Sequence, residues 1–261
     1  MVMGAFNKEQ GGIFIQNATS ITDKNSENCN EINSNLSWKQ LLFFLLLYVG
    51  IIIGACIIVI ISFVVIKVFT GKDLLFLLND SNFLILDAFL VLFILKKYKP
   101  ILRFVTQSLD FTVLRVKKTY GIILVGYIVL WAIQFIFIDY LHLGDASNQA
   151  QQLRINGSQF QSWFAYVIMY ISVGVITPIK EEILFRGLLS RFLELKYRFW
   201  VGLAVSSLVF GLLHVDFPIV GLLMGITLGL VFHFSGSLVP SIILHILWNI
   251  VGTVINNING Y

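Results

Sequence analysis

The chain has 261 residues, 57% of them hydrophobic and 12% charged, with a mean hydropathy of +0.87. A charged share about half that of soluble domains excludes a soluble globule and predicts an all-α polytopic membrane protein, a bundle of about seven transmembrane helices (six to eight by length). The net charge of +4 fits basic cytoplasmic loops better than nucleic-acid binding, so the expected surroundings are the lipid bilayer and no nucleic acid.

Residues 1–38 are polar, rich in Asn, Ser and Gln, and read as a flexible N-terminal tail. The first apolar run begins at Leu41 and reaches Ile66 without a charge. It is too long for a signal-peptide core and is read as an uncleaved anchor. Cys29 in the tail and Cys56 in this run are not placed to pair, so no disulfide framework is expected. Seven spans can be drawn, at about 41–68, 74–95, 120–140, 163–190, 200–216, 218–234 and 237–256. Asn79, Asp80 and Asp87 interrupt the second, and neither acid has an assignable role from sequence. Residues 39–159 therefore hold the N-terminal helices with one basic loop, and residues 160–256 form a membrane core that carries the polar motifs.

Orientation follows the basic residues. Lys96, Lys97, Lys99, Arg103, Arg115, Lys117 and Lys118 stand against a single Asp110, which makes 96–118 cytoplasmic. Part of it, ILRFVTQSLDFTVLRV, is expected to lie in the interface as an amphipathic helix. The loop 141–162, with one Arg154 and one Asp145, is expected outside, and Arg191, Lys196 and Arg198 inside. The result is a multi-pass protein with its N-terminus in the cytoplasm. Heavy use of Ile, Asn, Phe and Lys points to a low-GC bacterium and its plasma membrane.

Ionisable groups inside spans cost several kcal/mol unless paired, so each is a functional candidate. Three clusters qualify. In KEEILFRG, Glu182 and Arg186 are i and i+4 and can pair, while Glu181 is rotated by about 100° and left for other work. A poorly hydrated carboxylate can serve as a general base, although a buried ion-pair network that only pins helices is the plainer alternative. In FGLLHVDFP, His214 follows Phe210 by one turn; a lone histidine on an apolar helix is more often a satisfied core residue. In HILWN, His245 and Asn249 share a face, and an interhelical hydrogen-bonding pair would explain them. Depth alters that balance. Counted from the expected cytoplasmic ends, Glu181 lies about 15 Å deep, His214 about 21 Å, His245 about 12 Å and Asn249 about 18 Å. Three helices thus deliver a carboxylate, two imidazoles and an amide to a similar layer, the parts of a hydrolytic site. Gly221, Gly225 and Gly229 are read as a stripe for close helix packing, and His233 as interfacial.

EEILFRG fits EExxxR, FGLLH fits FxxxH and HILWN fits HxxxN. In order and spacing, over about residues 160–256, they resemble the CAAX protease and bacteriocin-processing (CPBP, or Abi) family of intramembrane proteases, which includes prenyl-protein endopeptidases of the Rce1 type. The resemblance implies peptide-bond hydrolysis on a membrane-embedded or lipidated peptide or protein. It implies Glu181 as the base that activates water, His214 as a holder of water or metal, and His245 and Asn249 as oxyanion donors. Glu182, Arg186 and Phe210 would support them. It leaves open a zinc ion on Glu181, His214 and His245 and an equally possible metal-free glutamate mechanism; no HExxH sequence argues for the metal. In a bacterium it implies peptide maturation, quorum-sensing control or bacteriocin immunity, with CAAX-type substrates as a further option. Two other readings stay open: a non-catalytic membrane scaffold for a signalling partner, and a transporter using the same groups as a proton relay.

Overall fold

Thirty-three residues without a proline, Trp38–Thr70, form helix α1. In hydrocarbon every backbone N–H and C=O must be bonded within the segment, and a helix does this without a partner. Only Leu41 and Phe44 of α1 are buried; its outer faces are left to lipid. The computed structural model describes residues 36–71, 80–143 and 163–259. The chain divides into two units, Met1–Ser37 and Trp38–Tyr261, and the helices among the described residues belong to the second. The expected tail, the lead-in of the second span at 74–79 and most of the expected outer loop (144–162) lie outside the described residues.

Helix α2, Asp80–Lys97, buries Asp87, Ala88, Val91, Ile94 and Leu95 on one face and leaves Phe89, Leu92 and Phe93 exposed. Helix α3, Lys99–Thr106, starts with Pro100 in its first turn, where a missing N–H costs nothing. Its apolar residues Ile101, Phe104 and Val105 are buried. The amphipathic stretch expected in the interface therefore spends this apolar face on protein. It then breaks and resumes as a 3₁₀ turn, Phe111–Arg115. Asp110 caps that turn, accepting from Thr112 N at 2.8 Å and Thr112 Oγ1 at 2.7 Å. These hydrogen bonds hold the Asp110 carboxyl below the ordinary carboxylate range. The cap is complete at neutral pH and weakens as pH falls through that lowered value.

Helix α4, Lys117–Ile133, runs on through a π-helical turn, Gln134–Tyr140. Next comes one broken helical path: α5, Trp163–Ile171; a π turn, Ser172–Ile176; α6, Thr177–Glu182; a second π turn, Ile183–Ser190; and α7, Arg191–Lys196. It is followed by α8, Phe199–Leu213, α9, Pro218–Ser235, and α10, Leu238–Asn259. The described part of each expected span lies on a helical stretch apart from residues 214–216 and 237, and no strand occurs among the described residues. Among the described residues four stretches are long and apolar enough to cross a membrane: α1, Lys117–Tyr140, α9, and Leu238–Ile255 of α10. The chain is an all-α polytopic membrane protein, as its composition predicts.

Ile123 and Leu130 of α4, Phe210 of α8, Val220, Met224, Leu228 and Val231 of α9, and Leu244 of α10 form one buried cluster. Glycine sets the spacing. A Cβ at Gly225 would fall 2.9 Å from Ser207 Cα, and one at Gly211 would fall 2.7 Å from Leu222 N. The expected small-residue stripe thus brings α9 against α8 at backbone distance. Gly236, at φ 71°, ends α9 in the left-handed conformation that glycine adopts freely. The turn after it is sewn to the segment before Phe111: Leu238 N donates to Ser108 O at 2.8 Å, and Ser237 Oγ donates to Asp110 O at 2.9 Å.

Gly225→Val meets backbone that cannot step aside and is expected to destabilise by about 1–3 kcal/mol. Gly50→Ala on α1, where nothing lies within 4 Å, is expected to stay within about 0.5 kcal/mol of wild type. Thermal unfolding in detergent micelles checks both, and equal midpoints for the two variants would refute the close α8–α9 contact.

Candidate active site

The site begins with a carboxylate that has no exposed surface. Glu182, the last residue of α6, is 0% exposed. Its Oε1 accepts from Arg186 Nη1 at 2.9 Å and from His245 Nδ1 at 3.0 Å, and its Oε2 accepts from Ser241 Oγ. An ionised carboxylate taken out of water needs its lone pairs filled, and here three donors fill them. Arg186, 1% exposed, also donates from Nη2 to Gly225 O at 3.1 Å and lies 4.5 Å from the centroid of Phe210. A buried cation over an aromatic face gains from the ring's negative quadrupole. Phe210 further touches Phe185, His214 and His245, with centroids 5.1, 4.3 and 6.0 Å away. It packs against the Arg186 guanidinium and both histidine rings.

Glu181 is one step round the helix, and its side chain is 17% exposed. Its Oε2 lies 3.8 Å from His245 Nε2. His245 therefore stands between the two adjacent carboxylates, its Nδ1 held by the buried one and its Nε2 facing the reachable one. Sequence reasoning paired Glu182 with Arg186 and left Glu181 alone; the structure gives Glu181 a histidine as neighbour.

His214 is not within the helix, as a span of 200–216 would have it. α8 stops at Leu213 and His214 is its C-terminal cap residue, at φ −95° and ψ 69°. Its ring folds back so that Nδ1 lies 2.7 Å from Phe210 O. A carbonyl can only accept, so Nδ1 carries the proton and Nε2 of the neutral ring is an acceptor. Gly221 forms the floor of this ring, since a Cβ there would sit 2.9 Å from His214 Cβ. The FxxxH spacing is thereby explained: the residue four before the histidine supplies the carbonyl that orients it.

Asn249 is placed by a missing donor. Pro178 has no N–H, so it cannot serve Gly174 O at α spacing or Val173 O at π spacing. Thr177 N bonds Ser172 O instead. Val173 O is left without a helical donor, and Asn249 Nδ2 supplies it at 2.9 Å. Ile250 packs beside it over Gly174, where a Cβ would lie 2.9 Å from Ile250 Cγ1. Asn249 keeps a second N–H for another acceptor.

Two groups escaped the sequence analysis. Ser241 lies one turn before His245, so Ser241, His245 and Asn249 repeat at helical spacing along α10, and that periodicity was the available signal. Asp87 is 5% exposed and pairs with Lys180 Nζ, while Tyr48 Oη donates to Asp87 Oδ1 at 2.7 Å. The signal there was an acid inside an apolar helix, which needs a partner. His233 is exposed, stacks on Phe199 with centroids 3.8 Å apart and lies 3.8 Å from Glu194, away from this cluster. Among the described residues no three His, Cys, Asp or Glu side chains form a group that could hold a metal ion. As arranged, Glu181, His214 and His245 do not make a three-ligand set.

Residues 162–251 match the family model described as type II CAAX prenyl endopeptidase Rce1-like. The match covers less than half of the chain, contains all three motifs, and is to the family those motifs resemble. It supports a CAAX-type membrane protease. No curated protein and no solved structure matches the chain.

Breaking the buried pair should show in stability before function is considered. Arg186→Met leaves Glu182 charged without its cation and is expected to cost about 3–5 kcal/mol. Ser241→Ala removes one hydrogen bond to that charge and is expected to cost about 1.5–3 kcal/mol. The order of the two thermal midpoints is the check; the reverse order would mean that Arg186 is not the principal counter-charge.

Proposed function

We propose that the protein is an intramembrane endopeptidase in which Glu181 activates water against a peptide bond of a membrane-associated peptide or protein. The observation that carries this is the contrast between two adjacent carboxylates. Glu182 is sealed and saturated with donors, whereas Glu181 keeps an exposed edge and faces His245 Nε2.

In this reading Glu181 takes a proton from water as the water oxygen adds to the scissile carbonyl carbon. His214 Nε2, an acceptor because Nδ1 is committed to Phe210 O, accepts the other water hydrogen and so aims a lone pair at the carbon. The oxyanion that forms accepts from the free N–H of Asn249 and, when both ring nitrogens carry protons, from Nε2 of His245. Donors held in place for such a charge are worth about 3 kcal/mol each. Glu181 then passes its proton to the leaving amine as the C–N bond breaks.

The substrate is a membrane-embedded or lipidated chain. The family match at 162–251 supports CAAX-type substrates, and a bacterial host would place the activity in peptide maturation, quorum sensing or bacteriocin immunity. The protein would sit in the bacterial plasma membrane with its N-terminus inside, on the basic segment 96–118.

The test compares membrane and secreted peptidomes of cells making wild type or Glu181→Gln, which keeps shape and removes the base. New peptide ends are expected only with wild type, with a loss of at least about 100-fold in the variant. Identical peptidomes with a stably inserted variant and an intact cellular phenotype would end the protease reading in favour of a scaffold.

A further inference from the structure

We propose that Lys180, Asp87 and Tyr48 form a positioning network that aims Glu181, a role that rests on the protease reading above. Residues 180, 181 and 182 follow one another around α6 at about 100° steps. Glu182 is tied on one side to Arg186, Ser241 and His245. Lys180, about 200° from it, is tied to Asp87 on α2, and Tyr48 on α1 completes the other oxygen of that acid. Two opposed ties stop the helix from rolling about its axis. The sector between them belongs to Glu181.

α6 needs such ties. It has six residues and is bounded by π turns on both sides. Each π turn inserts a residue into the helical register, so neither neighbour transmits a rotation rigidly. The network is dry: Lys180 is 8% exposed and Asp87 5%. A buried ion pair is weak evidence for stability, because well-packed apolar residues often do as well; it does fix a direction. Tyr48 and Asp87 also lie outside the matched stretch 162–251, so the N-terminal helices contribute to the aim of a residue they do not carry.

The test uses the full chain in detergent micelles and, as substrate, the precursor of whichever peptide end separates wild type from Glu181→Gln. Asp87→Leu with Lys180→Met removes the tie but leaves no unpaired charge, so the protein folds. Its kcat is expected to fall by at least about tenfold with KM within about twofold, as for a misaimed group. Asp87→Asn with Lys180→Gln keeps a hydrogen-bonded link and is expected to retain kcat within about threefold. Tyr48→Phe is expected to fall between the two. Wild-type kcat in the apolar pair would overturn the positioning role while the protease reading stands. The same would follow from equal losses in both pairs, which would mark a merely structural contact. If no peptide end separates wild type from Glu181→Gln, the protease reading fails and the positioning role falls with it.

Discussion

Everything at this site hangs from a charge that has been taken out of water. Glu182 has no exposed surface, and an unpaired carboxylate there would not stay ionised. Its three donors come from its own helical path and from α10, and the guanidinium that neutralises it reaches on to Gly225 of α9. Phe210 of α8 covers that guanidinium. One desolvated anion thereby sets the mutual register of the helices that carry Glu181, His214, His245 and Asn249. Each neighbour must be a donor of the right reach, and none can slide by a turn without leaving a buried charge unanswered.

The packing around it obeys the same economy of space. Glycine at 225 lets α9 meet α8 at backbone distance, and that close approach is also what brings the Gly225 carbonyl within reach of Arg186. Glycine at 221 gives His214 a flat floor. The stripe that reads as generic packing is therefore the surface on which two polar side chains are seated.

Much of this was legible because membrane helices make expensive residues conspicuous. Composition and unbroken apolar runs predict an all-helical chain, and the order EExxxR, FxxxH, HxxxN places the candidate groups on separate helices. Glu182–Arg186 follows from i,i+4 spacing alone. What escaped depends on information the helical period does not carry. Two π turns within 163–196 each add a residue, so a constant 3.6-residue count misstates which face Lys180 and Glu181 share with the rest of the path. Asp87 is visibly out of place in α2, yet its partner Lys180 is 93 positions away, and no local rule reaches that far. Ser241 was hidden by commonness: a serine in an apolar helix usually returns its hydroxyl to its own backbone.

The proline at 178 carries a consequence for how this protein would age. By withholding an N–H it leaves the Val173 carbonyl to the side-chain amide of Asn249. That fixes which end of the amide faces which way, since only the nitrogen can donate. Slow hydrolysis of that amide would exchange a donor for an acceptor and set oxygen against oxygen inside the bundle. A change of one heavy atom on α10 would then strip the Val173 carbonyl of the donor that reaches it from another helix. The wear of a long-lived copy would thus concentrate at a contact whose necessity was decided 71 residues earlier, by the ring of a single proline.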